Sequence, residues 1–306
     1  MLSSDDLKFF SVLATQSSLA ATARVLDVTP PSVTQRLQNI EQKLKLKLVE
    51  RHARKLALTD EGKLLYQRAK IILDEISDLH EALTEHQTEM SGCLKILSSI
   101  SFGHQYIAPL ISEFQTLHPK VTVELALSDV PNMSDYHAWD ILVYIGALQD
   151  SSLKRTTLAK NKRLLCASPA YIRQYGQPTT PDDLRKHRCI VLRENAEDVS
   201  LWRFKQNQQE YAIRVKPALA SNDGRVTKQW ALDGLGIIYR SEWDLANEVR
   251  AGKLVQLLPN YQLQDADIVA LLAKAPNARS ARTNAFLSLL KSKVQKRPWL
   301  TNDPET

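Results

Sequence analysis

Residues 18–41 decide the fold of the N-terminal region, and they read SLAATARVLDVTPPSVTQRLQNIE. The range 19–26 is short and rich in alanine, which predicts a helix that another helix can cross closely. Thr29 can cap the next helix with Pro30 in its first turn, and we expect that helix to reach about Lys45. Its apolar residues follow the spacing of a buried helix face, as Val33, Leu37, Ile40 and Leu44. With a further helix predicted over 5–16, these segments form a helix-turn-helix candidate.

The outward face of the third predicted helix carries polar side chains that suit DNA. Gln, Asn and Arg can offer paired hydrogen bonds to base edges, and Ser or Thr hydroxyls can reach phosphates or bases. The candidate DNA contacts of this region are Ser18, Thr29, Pro31, Ser32, Thr34, Gln35, Arg36, Gln38 and Asn39. The alternative interpretation is a polar solvent face on a small helical bundle.

Residues 49–59 read VERHARKLALT and predict two short strands around a basic tip, which is a β-wing. Arg51, Arg54 and Lys55 would lie beside the third helix, where a phosphate backbone or a minor groove would pass. Residues 31–58 hold seven Lys or Arg against two Glu, a net charge of +5. Such a cluster by itself is usually a solvated face, so it supports DNA binding only together with the motif.

These segments together resemble the winged helix of the LysR-type transcriptional regulators. The resemblance rests on residues 18–26, 29–37, 40–41, 50–51 and 58–62. Three positions depart from the family's pattern: Thr22 replaces an alanine, Lys45 stands where glycine is usual, and Val49 stands where phenylalanine is common. Lys45 therefore needs another way to end the third helix.

A long helix is predicted to follow the wing, with Thr59 as its cap and acidic residues in its first turn. Its apolar residues follow a heptad spacing, as Leu65, Ala69, Ile72, Ile76, Leu79 and Leu83. One interpretation is a helix that packs on its own domain. The other, favoured by its length and its place between a small basic domain and a large remainder, is dimerisation through Leu65, Ile72, Ile76, Leu79 and Leu83. The resemblance implies that this helix pairs two chains and places two recognition helices ~34 Å apart on DNA.

The remaining two thirds of the chain alternate predicted strands and helices, which favours an α/β fold with mostly parallel sheets. Fragments such as 139–140, 167–171 and 234–237 resemble the family's effector domain, which is similar to a small periplasmic binding protein. The fold class expected is thus α + α/β: an N-terminal winged helix-turn-helix, a long dimerisation linker helix, and a C-terminal two-lobed periplasmic-binding-protein-like effector domain. The expected domain bounds are 1–59, 60–90 and 91–300, with one lobe over 91–160 plus 267–300 and the other over 161–266. The end of the chain from Trp299 is expected to fray.

A small-molecule effector is expected in the cleft between the lobes. Ligands favour the C-terminal ends of parallel strands and helix N-termini, and hydroxyls at such an edge suit a carboxylate. Other positions are chosen because they match family positions near the cleft. The candidate effector-binding residues are Ser99, Ser101, Phe102, Ser128, Tyr144, Trp202 and Asn222. Close relatives often carry Arg where Tyr144 stands, which puts in doubt an acidic effector that relies on that Arg.

Composition excludes several other classes of protein. The chain has 306 residues, a net charge of +6 and 43% apolar residues, which is an ordinary globular composition and excludes a disordered chain. Three cysteines exclude a disulfide scaffold, although a redox switch between Cys166 and Cys189 is conceivable beside the plain alternative of two buried hydrophobes. No apolar run reaches the ~18 residues of a membrane helix, so we expect a cytoplasmic protein. The seven histidines form no metal-ligand motif, and no Walker loop or nucleophile–base pair is found, so no metal, cofactor or enzymatic activity is expected.

The sequence predicts a sequence-specific DNA-binding transcriptional regulator that a small-molecule effector modulates. The expected partners are double-stranded operator DNA, the effector, a second copy in dimers that assemble into homotetramers, and RNA polymerase. One alternative is a solute-binding module without sequence-specific DNA binding. Another is an architectural DNA binder that responds to no effector.

Overall fold

The computed structural model describes residues 1–52, 55–84, 90–129, 138–146, 154–193, 199–272 and 279–300. The chain separates into two units, Met1–Thr88 and Glu89–Thr306. No helix in the described ranges is both long enough and apolar enough to span a membrane.

The N-terminal unit is helical apart from one hairpin. Its elements are α1 (Ser4–Ala14), α2 (Leu19–Val25), α3 (Pro30–Leu44), β1 (Val49–His52), β2 (Lys55–Leu58) and α4 (Asp60–Thr84). The two strands pair antiparallel, so they form the predicted wing. The apolar helix faces meet in one core of Phe9, Phe10, Leu13, Ala23, Val33, Leu37, Ile40, Leu48 and Val49.

Short polar side chains begin the first three helices, and for the third helix this is the predicted cap Thr29. Ser3 Oγ accepts the amide of Asp6, Ser18 Oγ accepts the amide of Ala21, and Thr29 Oγ1 accepts the amide of Ser32. The end of α3 is less ordinary, because Lys45 adopts the left-handed conformation with φ 57° and ψ 31°. Lys45 thus ends the helix in the left-handed conformation that usually selects glycine at this position.

The loop after α3 is held by one buried carboxylate. Glu41 Oε1 accepts the amide of Leu48 at 2.9 Å, and Glu41 Oε2 pairs with Lys47 Nζ at 2.7 Å. Burial would raise the pKa of Glu41, but the hydrogen bonds and charge of Lys47 and the amide of Leu48 outweigh it and lower that pKa. The loop therefore stays closed between α3 and the wing.

The described residues of the second unit form two five-stranded sheets and one three-stranded sheet. The strands are β3 (Gly92–Ser98), β4 (Val121–Leu127), β5 (Ile141–Ile145), β6 (Lys154–Ala159), β7 (Arg163–Ala167), β8 (Cys189–Leu192), β9 (Leu201–Gln206), β10 (Gln209–Arg214), β11 (Pro217–Ser221), β12 (Ile237–Ser241), β13 (Val255–Gln256), β14 (Gln262–Leu263) and β15 (Ile268–Leu272). The helices are α5 (Ile100–Phe102), a π-helical turn (Gly103–Ile107), α6 (Ala108–Leu117), α7 (Pro169–Tyr175), a 3-10 turn (Pro181–Lys186), α8 (Gly224–Leu232), α9 (Glu242–Arg250), α10 (Ala281–Val294) and a last 3-10 turn (Pro298–Leu300).

The strand order explains why the unit has two lobes. One sheet has the order β4-β3-β5-β15-β6, and the other has the order β11-β8-β12-β7-β13. The chain passes from the first sheet to the second between β6 and β7, and it returns before β15. The strands at these passages run antiparallel to their neighbours, since β15 opposes β5 and β6, and β7 opposes β12. In each five-stranded sheet the other four strands share one direction, so the expectation of mostly parallel sheets holds there with one reversed strand per sheet, β15 or β7.

Trp299 lies in the last described turn and is packed, so the expectation of a frayed end from Trp299 was wrong for this residue. The Trp299 side chain is 2% exposed and meets the ring of Tyr106 edge-on, with centroids 5.7 Å apart. The backbone oxygen of Trp299 accepts a hydrogen bond from Arg250, and its indole nitrogen donates to Glu242. The last 3-10 turn is thus fixed on α9.

The strand order also argues against a redox switch in which Cys166 and Cys189 form a disulfide. The two cysteines lie on β7 and β8, and β12 lies between these strands in the sheet. Cβ positions two strands apart are separated by about 9.5 Å, which exceeds the reach of a disulfide. Burial raises the pKa of both thiols to about 12, which disfavours the reactive thiolate.

Candidate functional site

The exposed face of α3 is the first candidate site. Pro31, Ser32, Gln35, Gln38 and Asn39 are all exposed on this helix, while its apolar face is buried in the core. Thr29 begins the helix, so the candidate contacts lie along its first three turns. The N-terminal part of a recognition helix is the part that reads base edges in helix-turn-helix proteins.

Several of these side chains are held by local hydrogen bonds. Gln35 Nε2 donates to Asn39 Oδ1 at 3.1 Å, so the two amides lie side by side on the surface. Thr34 Oγ1 donates to the backbone oxygen of Pro30, and the hydroxyls of Thr29 and Ser32 lie 2.8 Å apart. Such exposed bonds cost little to exchange for bonds to a base or a phosphate.

Arg36 has a second role that sequence reasoning missed. One of its guanidinium nitrogens donates to the backbone oxygen of Asp5 at 2.9 Å, and the guanidinium lies 4.8 Å from the ring centroid of Phe9. Arg36 therefore joins α3 to α1, although its side chain remains exposed. No periodicity in the sequence indicates this contact, because the partners are about thirty residues apart.

The predicted wing residues are only partly described. Arg51 lies on β1 and Lys55 lies on β2, where Arg51 pairs with Leu56 and Lys55 pairs with His52 in the backbone register. Arg54 lies outside the described residues. The hairpin therefore places the two strand residues near its tip, as the sequence predicts for a wing.

The heptad residues of α4 divide into two groups. Ala69 is fully buried, and Leu65 packs against the core of the N-terminal unit. Ile72, Ile76 and Leu79 are 45%, 44% and 61% exposed, and nothing is described of the Leu83 side chain. The two interpretations of this heptad series, packing on its own domain and dimerisation, thus apply to different parts of α4. The first turns pack on the N-terminal core, and the following turns present an exposed apolar stripe.

The second candidate site is a narrow cavity of about 20 Å³, room for about one water molecule, at strand ends of both five-stranded sheets. Ser99 and Ser101 follow β3, and Ser128 follows β4. The described residues that line it are Ser99, Ser101, Ser128, Asp129, Val143, Tyr144, Ile145, Arg240, Ser241 and Trp243. The structure therefore brings together four of the predicted effector-binding residues: Ser99, Ser101, Ser128 and Tyr144.

The other three predicted residues are placed elsewhere. Phe102 is fully buried in the core of the first lobe, where its ring lies against Tyr106 and Trp243. Trp202 stacks on Tyr239 in the core of the second lobe. Asn222 is exposed and is not part of the lining. Phe102 and Trp202 are large apolar rings, and burying them in a core is worth more than exposing them to a polar cleft.

Sequence reasoning missed the residues that the second lobe contributes to the cavity. Arg240 and Ser241 end β12, and Trp243 lies in the first turn of α9. A signal was present, because the strand that begins with the apolar residues Ile237 and Ile238 ends in a polar group, the arginine at position 240. The rule that was applied to the first two strands of the unit would have found it.

Arg240 is part of a buried charge cluster behind the cavity. Its side chain is 5% exposed, and its Nε and Nη2 atoms both donate to Asp244 Oδ2. Lys228 Nζ lies 3.0 Å from Asp244 Oδ1 and 3.5 Å from Glu248 Oε1. Two cations and two carboxylates thus balance one another, which a buried group of charges requires.

Metal binding finds no support in the described part of the chain, which contains no group of three or more His, Cys, Asp or Glu side chains arranged to hold an ion. The described lining of the cavity includes four serine hydroxyls, one guanidinium, one carboxylate and two aromatic side chains. This arrangement can hold a small polar molecule through hydrogen bonds, and among the described lining residues it presents no nucleophile paired with a histidine base.

A helix-turn-helix unit with a wing, followed by a long helix and a two-lobed α/β unit with a polar cavity, defines a DNA-binding regulator with a domain for a small molecule. Two family models match the chain accordingly. The bacterial regulatory helix-turn-helix protein, lysR family, matches residues 4–63, and the LysR substrate binding domain matches residues 87–295. The chain belongs to the LysR family of transcriptional regulators.

Similar proteins agree with this assignment. The chain is 35% identical to the HTH-type transcriptional activator TtdR of Escherichia coli K12 over 294 residues, which cover 95% of this chain and 94% of that protein. It is 34% identical to the HTH-type transcriptional regulator DmlR of the same strain over 289 residues, 92% of each chain. The structure of CrgA, a LysR-type regulator from Neisseria meningitidis, has a TM-score of 0.60 at 25% identity and covers 96% of this chain and 99% of that chain.

Proposed function

We propose that this protein recognises operator DNA through α3 and the wing, and that a small molecule in the cavity modulates its activity on transcription. The observation that carries the proposal is the exposed polar face of α3, with its paired amides Gln35 and Asn39, in a unit of this family. The proposed DNA contacts are Ser18, Thr29, Pro31, Ser32, Thr34, Gln35, Arg36, Gln38, Asn39, Arg51, Arg54 and Lys55.

The domain bounds proposed are 1–59 for DNA binding, 60–90 for the linker helix and 91–300 for the effector domain. The exposed stripe of Ile72, Ile76 and Leu79 supports dimerisation through α4, because a regular apolar stripe on a helix is stabilised by a partner helix. Two dimers would then form a tetramer in the cytoplasm and place their recognition helices on a pseudo-palindromic operator.

Effector binding would change the angle between DNA-binding domains, and so the bending of DNA and the recruitment of RNA polymerase. A ligand can do this only if it binds the two arrangements with different affinity. The cavity supports such a ligand because strand ends of both lobes line it, so that a bound molecule contacts both.

Selection of genomic DNA fragments by the purified full-length protein tests the proposal. Bound fragments are sequenced at about 0.15 M salt, where non-specific binding is weakened. We expect enrichment of a shared site with two-fold symmetry upstream of particular genes. The nearby genes then indicate which metabolites to test as effectors in a transcription assay.

Two other outcomes would replace the proposal. Binding without sequence preference, unchanged by any metabolite, would assign an architectural DNA binder. Absence of any enrichment would assign a solute-binding module whose basic N-terminal unit serves another contact.

A further inference from the structure

The three-stranded sheet of the second unit, with the order β10-β9-β14, carries a recess on its outer face. Its inner face is apolar, because Trp202, Phe204 and Ile213 are buried in the core of the second lobe. The residues that alternate with these three along β9 and β10 are mostly exposed. They line most of a cavity of about 350 Å³, a volume within the range of small-molecule sites. We call this cavity the sheet recess.

The strand register determines which side chains meet in the sheet recess. Arg203 and Lys205 lie on the central strand β9, where Ala212 is the Cα partner of Arg203 and Glu210 is the Cα partner of Lys205. Asp265 follows β14 on the other side of β9 and also lines the recess. The small side chain of Ala212 leaves open the space that a longer residue of β10 would fill.

The charged groups of the sheet recess are balanced in sign but do not pair with one another. Arg203, Lys205, Glu210 and Asp265 have no hydrogen bond or ion pair to any side chain in the described part of the protein. Opposite charges on directly facing strand residues usually attract each other, and Lys205 and Glu210 are such a pair. Two cations and two carboxylates are therefore available to a ligand.

The charge balance selects the chemical class of that ligand. A simple anion in the sheet recess would face Glu210 and Asp265, and a simple cation would face Arg203 and Lys205. A molecule with both charges satisfies both sets. Neighbouring strands are about 4.8 Å apart, so the cations of β9 and the carboxylate of β10 lie side by side. In an α-amino acid one carbon atom separates the ammonium group from the carboxylate, so its two charges can bind adjacent strands.

We propose that the sheet recess binds an α-amino acid as its zwitterion. Arg203 and Lys205 donate hydrogen bonds to its carboxylate, and Glu210 accepts from its ammonium group. Asp265 offers a second acceptor from the other side of β9. The sheet recess shares no described lining residue with the cavity at the strand ends of the five-stranded sheets, so the inference depends neither on a ligand there nor on operator binding.

The first experiment measures the melting temperature of the full-length protein without DNA. The probes are the common amino acids that dissolve to about 10 mM, at constant ionic strength. For each active amino acid, the N-acetyl derivative lacks the ammonium charge and the α-amide lacks the carboxylate charge. We expect at least one amino acid to raise the melting temperature by about 2–4 °C, and neither of its derivatives to do so. The proposal is overturned if no amino acid raises it, or if a derivative does so equally.

Two charge-removing variants assign the binding to the sheet recess. Arg203→Gln and Glu210→Gln should each weaken the affinity for the active amino acid about tenfold in calorimetric titration, since each loses a hydrogen bond between charged groups. Both side chains are exposed and have no partner among the described residues, so both variants should fold. The matched control is Lys216→Gln, which removes an exposed cation that is not among the described lining residues and should keep the affinity of the wild type.

Ala212→Leu provides an independent check, because the larger side chain would fill the sheet recess from its exposed position on β10. We expect it to abolish binding of the amino acid. Ala218→Leu, which enlarges an exposed alanine of β11 outside the described lining, should bind as the wild type does. Equal affinities in wild type, Arg203→Gln and Ala212→Leu would place the ligand elsewhere and overturn the proposal.

Discussion

At the scale of single residues, the recognition face of α3 depends on side chains that bond to one another in the free protein. Gln35 and Asn39 form an amide pair on the surface, and the Arg36 side chain reaches α1. Sequence reasoning treated all three as equivalent candidate contacts. The structure separates them, because Gln35 and Asn39 can exchange an exposed local bond for a base edge, whereas moving Arg36 would also release its bond to α1.

Replacement of Gln35 by alanine tests base recognition. We expect Gln35→Ala to lose about 1–3 kcal/mol of preference for operator over scrambled DNA, since a paired hydrogen bond to a base is lost. The measurement is fluorescence anisotropy with both DNAs at fixed salt. The control is Gln42→Ala, which changes an exposed glutamine two turns further along α3. An equal loss of affinity for both DNAs would refute base reading by Gln35.

The C-terminal residue of the same helix allows a stability prediction. Lys45 has φ 57°, a conformation that costs an L-residue roughly 1 kcal/mol relative to glycine. We expect Lys45→Gly to stabilise the N-terminal unit by about 0.5–1 kcal/mol in urea unfolding. Gln42→Gly, at a right-handed helical position in the last turn, should instead destabilise it by up to about 1 kcal/mol. Destabilisation by both glycines would contradict the assigned helix end.

At the scale of elements, α4 serves two purposes along its length. Its start is fixed to the N-terminal unit, because Thr59 Oγ1 accepts the amide of Gly62 and donates to the backbone oxygen of Lys47. The absence of a side chain at Gly62 allows the helix to approach the backbone of Leu48. The helix then leaves that core, and its later heptad residues are exposed. A single heptad pattern therefore combines intramolecular packing with a surface available for a second chain.

Charges in the exposed stripe test the proposed dimer. We expect the double variant Ile76→Glu and Leu79→Glu to be a folded monomer. The glutamates would place like charges on the exposed stripes of both α4 helices of a dimer and so oppose their pairing. The affinity of this variant for operator DNA should also fall, since a single chain contacts only one half-site. Analytical ultracentrifugation and circular dichroism measure mass and folding.

The matched control for the helix is Gln67→Glu, which adds a negative charge at an exposed position outside the seam. This variant should keep the mass of the wild type. If the double variant also keeps that mass, α4 does not form the dimer through this stripe.

At the scale of the whole molecule, the second unit is stabilised by contacts between distant parts of the chain. Trp243 and Ala246, from α9, pack in the same core cluster as Phe102 and Phe286. Trp299 closes this cluster beside Tyr106, and Arg297 pairs with Glu242 at the start of α9. The helix that follows the cavity strand β12 is thus anchored by the last described turn, which lies about fifty residues further on.

Truncation of Trp299 tests this anchoring. We expect Trp299→Ala to lower the free energy of unfolding of the second unit by about 3–5 kcal/mol, as for other buried tryptophans. Urea unfolding followed by circular dichroism measures the change. Leu300→Ala is the control, because the next side chain is 44% exposed and its loss should change stability by less than about 0.5 kcal/mol. Equal effects of both variants would mean that Trp299 does not anchor the unit.

Local patterns in the amino-acid sequence were enough to predict the family, the order of the elements and the polar face of α3. These features depend on local spacing: helix caps such as Thr29, the apolar series of Val33, Leu37 and Ile40, and strands that alternate with helices. The tertiary structure alone decided which residues line the cavity and which are buried in the cores. Trp202 and Phe102 are buried in cores, and Arg240 lines the cavity. These placements depend on the packing of strands and helices that are far apart in the chain. Trp299 became part of a core for the same reason, since only the fold brings it to Tyr106.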